Sequence, residues 1–459
     1  MYEQDTIVAP ATPPGQGAVA IVRLSGPRAI EILHRLWRPA RAPAMRPRRL
    51  YLGEIRDPVS GASIDRAMAV VMPGPASLTG EDVAELQCHG GAFLVRRVVG
   101  LAIAEGARMA ERGEFSRRAF LNGRIDLTEA EAVADLVSAQ GEGALQQAIN
   151  QLGGALKHRV CGLRREVIGI KAHLEVEIDF SDEDLKLPGR DRIGSQLERL
   201  AADVQILRDS FARGRLMREG ARAAIIGKPN AGKSTILNLL LGIERAIVTP
   251  YPGTTRDVIE DSIQLGAYPL VLQDTAGIRD GADPVERIGV ERALHHAGEA
   301  DLLIAVFDSS RPIEDEDLRV LAACGSRAGV AILNKSDLPA KISLELLREH
   351  GLTMPALVFS AIRADGVAAL RDELARILEV LAGDHRGDAV AVSRERHRRA
   401  LASARTALDA AIASVRAAMP PEIVAVDVAL AADALGAITG EVSSEDVLDA
   451  VFAEFCIGK

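Results

Sequence analysis

Aromatic residues make up only 3% of this 459-residue chain, and its four cysteines, Cys88, Cys161, Cys324 and Cys456, show no paired spacing. The scatter excludes a disulfide framework and a cysteine-based zinc site, and it points to a reducing compartment. No apolar run approaches the roughly 18 residues that a membrane-spanning helix needs. The opening Met-Tyr-Glu-Gln-Asp is acidic, unlike a secretory signal. The chain therefore reads as cytoplasmic, with no membrane association. Positive charge is not in excess either. A net charge of −9 argues against nucleic-acid binding over the whole surface, because phosphate neutralisation needs clustered cations. Two local arginine runs remain, Arg35, Arg38, Arg41, Arg46, Arg48 and Arg49, and Arg394, Arg396, Arg398 and Arg399. The plainer reading of each is a solvated face.

Apolar residues at 48% and charged residues at 26% describe a globular chain, and the length suggests two or three domains. Residues 1–119 mix strand-like runs (Ala18 to Val22, Ala67 to Met72) with a helical pattern at Arg28 to Leu36, which predicts a small α+β domain. From 120 to 215 the pattern is helical, opened by Thr128 and Glu131 as a capping box and broken by an acidic loop at Asp179 to Gly189. Over 216–380, apolar runs alternate with helices as in a parallel α/β sheet, and 381–459 is helical again. The expected fold is multidomain α/β plus α, with a Ras-like domain over 216–380 inserted into a helical domain.

The inserted segment carries nucleotide chemistry. Gly227-Lys228-Pro229-Asn230-Ala231-Gly232-Lys233-Ser234 fits the P-loop pattern between an apolar strand and a helix beginning near Thr235. Glycines let backbone amides approach phosphates, Lys233 reaches the β/γ oxygens and Ser234 ligates Mg²⁺. Asp274-Thr275-Ala276-Gly277 follows a strand as the metal-side turn. Thr255, in a polar loop, completes the Mg²⁺ shell when the γ-phosphate is present. Asn334-Lys335-Ser336-Asp337 reads guanine, since a carboxylate at Asp337 accepts from two guanine donors, and Ser360-Ala361 flanks the base. Ile278, after Gly277, cannot orient the attacking water, and no arginine finger stands out. Asn230 and oxygens of the Val248 to Thr255 loop are candidates to hold a monovalent cation in its place.

Over essentially its whole length the chain resembles the tRNA modification GTPase MnmE (TrmE) family. The resemblance rests on Asp5 to Pro27, Thr79 to Asp82, Cys88 to Gly91, Gly113 to Gly123 and the ending Phe455-Cys456-Ile457-Gly458-Lys459. It implies a homodimer whose N-terminal domains bind a tetrahydrofolate derivative, 5-formyl or 5,10-methylene, through Arg23, Glu85, Arg124 and Lys459. Arg124 stands where the family has lysine. The resemblance also implies potassium at Asn230, Thr249, Tyr251 and Thr254, a water-orienting Glu286, and Asn230 and Lys233 as catalytic groups. An FAD-containing MnmG (GidA) partner and a tRNA wobble uridine complete the implied reaction. Cys456 is left open as nucleophile, folate-site liner or exposed thiol. The competing reading is a switch-type GTPase such as a ribosome-assembly factor, which the same nucleotide motifs would serve.

Overall fold

The computed structural model describes residues 5–41, 45–139, 141–180, 189–243, 261–273, 298, 300–383 and 390–459. Residues to Ala134, with Gly436–Lys459, form one compact unit; the described residues between Asp135 and Leu435 form the other.

The first unit begins with β1 (Ile7–Pro10), β2 (Gly17–Ser25), α1 (Ala29–Leu36), β3 (Trp37–Pro39), β4 (Tyr51–Arg56), β5 (Ser63–Met72) and β6 (Val83–Gly90). It continues through α2 (Ala92–Ala104), β7 (Arg108–Met109), α3 (Glu114–Leu121) and the start of α4 (Leu127–Ser138). The strands make one sheet in the order β3-β4-β5-β6-β2-β1-β7, antiparallel except where β7 runs along β1. Alternation decides its faces. Ala20, Val22 and Leu24 of β2 meet Ile32, Leu33 and Leu36 of α1 and Val98 and Ala102 of α2 in the main core. On β1, Ile7 and Ala9 point the other way, onto Ala110 and Phe115.

The helix α4 corrects one expectation. Its capping box is Asp126 with Glu129, not Thr128 with Glu131. The Glu129 amide donates to Asp126 Oδ1 at 2.9 Å, and the Asp126 amide donates to Glu129 Oε2 at 2.8 Å. Starting the helix there turns Leu127 and Ala130 into a cluster with Leu448, Val451, Phe452 and Phe455, while Thr128 and Glu131 are themselves buried.

The second unit continues with α5 (Glu142–Leu152), α6 (Ala155–Asp179), α7 (Arg190–Asp209) and α8 (Phe211–Glu219). The α/β part follows: β8 (Ala221–Gly227), α9 (Lys233–Ile243), β9 (Asp261–Leu265), β10 (Tyr268–Gln273), β11 (Leu302–Asp308), α10 (Asp315–Cys324), β12 (Gly329–Asn334), α11 (Leu344–Glu349), β13 (Ala356–Val358) and α12 (Val367–Ala382). The chain returns to helix in α13 (Glu395–Arg416), α14 (Pro421–Thr439) and α15 (Glu445–Ala453), the last belonging to the first unit. The α7 helix packs along α13; Leu197, Leu200 and Val204 are buried on the one and Leu401, Ala404 and Leu408 on the other.

The six strands of the second unit are ordered β13-β12-β11-β8-β10-β9, all parallel except the edge hairpin β9–β10. All of Leu302–Asp308 is buried, as expected of a strand covered on both faces. Leu302, Ile304 and Val306 pack towards α9 and α12, whereas Leu303, Ala305 and Phe307 pack towards α10. The mixed fold class read from the sequence is thus present. Among the described residues no helix is long and apolar enough to cross a membrane.

Candidate functional site

A parallel sheet delivers all its strand ends to one edge, and ligands of such sheets sit there. β8 ends in Gly227 and the P-loop, β11 in Asp308 and β12 in Asn334. Asn230 adopts a left-handed conformation at φ 61° and Gly232 at φ 104°, which curls the loop towards the start of α9. Lys233 Nζ donates to the carbonyls of Gly227 and Lys228, each at 2.9 Å, so the loop closes around its own lysine. Ser234 and Thr235 lie exposed in the first turn of α9, where unpaired amides favour anionic oxygen.

The base-reading side is braced to the P-loop. Asn334 is buried; its Nδ2 donates to the Ala231 carbonyl at 2.8 Å and its Oδ1 accepts from the Ala361 amide at 3.0 Å. This side chain therefore ties three loops together, with a second amide hydrogen left for the base. Lys335, left-handed at φ 65°, reaches Asp308 at 2.6 Å. Burial raises the Asp308 carboxyl, but Lys335 and Ser310 outweigh it and hold the pKa below its ordinary value. Asp337 accepts from Ser360 Oγ at 2.7 Å, and that bond is the main cause of its lowered pKa. Asn230, Lys233, Ser234, Asn334, Asp337 and Ala361 line one pocket.

Sequence reasoning missed a support beneath this pocket. Lys228 is buried, and its Nζ donates to Asp317 at 2.8 Å and to Glu314 at 3.2 Å. Glu314 and Asp317 form the capping box of α10. Burial disfavours the charged lysine, but the two carboxylates prevail and raise its pKa. The acidic run that opens α10 was the available signal; its distance from Lys228 along the chain hid the pairing. Thr249, Tyr251, Thr254, Thr255, Asp274, Thr275, Ala276, Gly277 and Glu286 lie outside the described residues.

Gly232 gives this arrangement a sharp test. A Cβ there would sit well inside contact distance of the Asn334 amide, at a φ that L side chains avoid. Gly232→Ala is expected to displace Asn334 and weaken GTP binding about 10- to 100-fold, the equivalent of roughly 1–3 kcal/mol for a lost buried hydrogen bond. Titration with a fluorescent GTP analogue measures it, and unchanged affinity would remove Asn334 from the brace.

The first unit gathers a different set. Arg23 pairs with Glu85 at 2.8 Å, lies 5.8 Å from the centroid of the Phe115 ring and donates to the Gly458 carbonyl at 3.5 Å. The chain reaches this spot after α15 ends at Ala453. Ile457 bridges to Arg112, and Gly458, at φ 97°, packs so closely on the Pro10 carbonyl that no side chain fits. Gly458 is thus a docking residue of the tail, outside the last helix. Burial, with Arg23 nearby, lowers the pKa of Lys459, and Cys456 is half-buried beside them. Arg124 lies against Gly80, in the loop where Ser25 bonds both Thr79 and Glu81 at 2.7 Å. Of the four expected folate residues, the structure brings Arg23, Glu85 and Lys459 together, while Arg124 lies against the Gly80 loop.

A P-loop at the end of the first parallel strand, with an Asn-Lys-x-Asp base pocket beside it, defines a P-loop GTPase. The comparison with known families carries the assignment further. The model described as "MnmE helical domain" matches residues 127–456, and "GTP-binding protein TrmE N-terminus" matches residues 6–124. A tRNA modification GTPase MnmE of Geobacter sulfurreducens is 42% identical over 459 residues, covering 100% of both chains. The same-named protein of Moorella thermoacetica is 43% identical over 465 residues, covering 99% of each. That of Natranaerobius thermophilus is 38% identical over 458 residues, covering 99% of this chain and 100% of its own. The chain belongs to the tRNA modification GTPase MnmE family.

Proposed function

We propose that the protein hydrolyses GTP while modifying C5 of the wobble uridine in certain tRNAs. It works as a homodimer with an FAD-containing MnmG (GidA) partner and installs a carboxymethylaminomethyl- or aminomethyl-type group. The observation that carries the reading is the docked tail. Gly458 and Lys459 lie beside Arg23, so the chain builds a second polar site that a simple nucleotide switch does not require. The names of the relatives supply the substrate class.

The residues present suit the groups this reading needs. Two cations, Arg23 and Lys459, with the carboxylate of Glu85 fit a reduced folate, which carries carboxylates and a ring with donors and acceptors. Asn230, exposed at the P-loop, offers an amide oxygen to potassium, and Thr249, Tyr251 and Thr254 would complete that set. Ser234 offers a hydroxyl to magnesium, with Thr255 as its counterpart. Bound cations neutralise charge developing on the phosphates. Lys233 and the α9 amides position the β/γ oxygens, and Glu286 would orient the water.

Two measurements test the reading. Nucleoside mass spectrometry of tRNA from a strain lacking the protein is expected to show the unmodified wobble uridine; unchanged tRNA would favour the ribosome-assembly alternative. GTP hydrolysis is expected to run markedly faster in potassium than in sodium at equal ionic strength. Equal rates would remove the cation from the mechanism.

A further inference from the structure

The two arginine runs differ in what answers their charge. In the second run, Arg394 is buried and pairs with Asp135 at 2.7 Å, while Arg398 and Arg399 pair with Glu395 at 2.6 and 3.0 Å. That run is answered from within its own unit. The first run is not. From Ile32 to Gly53 the chain holds six arginines and no Asp or Glu, within a chain of net charge −9. Arg35 pairs with Glu31 and Glu105. Arg38, Arg41, Arg46, Arg48 and Arg49 are all exposed, and none has an ion pair among the described residues. Glu54, opposite Arg38 in the register of β3 and β4, is held by Arg56.

The backbone beneath these side chains is well anchored. Trp37 is buried at the root of β3 and donates to the Ala67 carbonyl at 3.0 Å. The Ala40 amide donates to Leu52 at 3.0 Å, the Arg46 amide to the Tyr51 hydroxyl at 3.0 Å and the Arg48 amide to Val71 at 2.8 Å. The arginines thus stand on one end of the sheet, beside its β3 edge. Protection of an edge strand from pairing accounts for Arg38 alone, because β3 ends at Pro39. A merely solvated face would carry acids among its bases, as α13 does.

We propose that the surface bearing Arg38, Arg41, Arg46, Arg48 and Arg49 docks the phosphate backbone of RNA, specifically the tRNA; this rests on the tRNA-modifying reading above. Guanidinium groups match phosphate oxygens bidentately, and a cation-dense surface free of acids is what counterion release requires. A protein partner would need an acidic surface of its own to answer these guanidinium groups, whereas a nucleic-acid backbone supplies one negative charge at every nucleotide.

The experiment measures binding of unmodified tRNA to the full-length protein across a range of KCl concentrations. It compares the parent chain, the double variant Arg46→Glu/Arg49→Glu and the double variant Arg46→Lys/Arg49→Lys. Charge reversal is expected to weaken binding roughly tenfold or more, and to reduce the slope of log affinity against log salt by about one per lost phosphate contact. The lysine pair is expected to keep most of the slope, and GTP turnover should be unchanged in both. A charge-reversal variant with parental affinity and slope overturns the docking surface while leaving the modification reading in place. Parental tRNA binding with a weakened dimer overturns it in favour of a protein contact. Reduced binding by the variant together with an unchanged wobble nucleoside in the deletion strain supports the surface and overturns the modification reading alone.

Discussion

Replacing Asp337 by asparagine is expected to lower affinity for GTP by about 10⁴-fold, the discrimination typical of a site that hydrogen-bonds its ligand. Guanine presents two donors on one edge, N1–H and the exocyclic amine. A carboxylate accepts from both. The asparagine amide offers one acceptor and one donor, so one guanine donor faces another with no water to relieve it. Xanthine carries a carbonyl where guanine carries the amine, and the same variant is therefore expected to gain affinity for xanthosine triphosphate. The surroundings isolate the effect. Ser360 Oγ can still donate to the side-chain oxygen that it bonds at 2.7 Å, and the Lys335–Asp308 pair behind it is untouched. Competition of both nucleotides against a fluorescent analogue is the measurement. Unchanged GTP affinity in Asp337→Asn would mean that the base is read elsewhere.

Legibility in the sequence followed the range of the interaction. The P-loop and the Asn334 to Asp337 segment are local strings, each set by the end of a buried strand, and both lie where the residue pattern puts them. The strand Leu302–Asp308 was equally legible because a parallel strand is apolar on both faces. What the pattern does not hold is pairing across the chain. Lys228 reads as a variable position of the P-loop, yet it anchors that loop to the capping box of α10. Asp126 displaced Thr128 as the start of α4 because both are good N-caps, and the packing of Leu127 decided between them. The short strands β9 and β13 owe their existence to neighbours: β9 folds back on β10, and β13 completes the edge beside β12. Glu395 stands within the second arginine run, but only the fold shows that Arg394 is buried against the distant Asp135.

Arg118→Met is expected to destabilise the first unit by about 3–5 kcal/mol, the usual consequence of removing one partner from a buried ionic network. Arg118 is 1% exposed. It donates to the Asp5 carbonyl at 2.8 Å and to the carboxylates of Asp5 at 2.6 Å, Glu114 at 2.8 Å and Glu81 at 3.2 Å. Methionine fills part of the volume and answers none of the oxygens. Glu81 also accepts from Ser25, so the Thr79 to Asp82 loop loosens with it. A pH signature separates this from lost packing. Burial raises the carboxyls of Asp5 and Glu114, but Arg108 and Arg118 prevail and lower both pKa values. Carboxylates lowered in the folded state stabilise it above their unfolded values of roughly 4, and that contribution fades as pH falls through the lowered folded values. Without Arg118 the folded values rise and the acid limb of unfolding moves to higher pH. Trp37, the only tryptophan and 1% exposed in this unit, reports the transition by fluorescence in a urea titration. A loss below about 1 kcal/mol with an unmoved acid limb would mean that Arg108 alone suffices for Asp5 and Glu114, and that the buried guanidinium is replaceable.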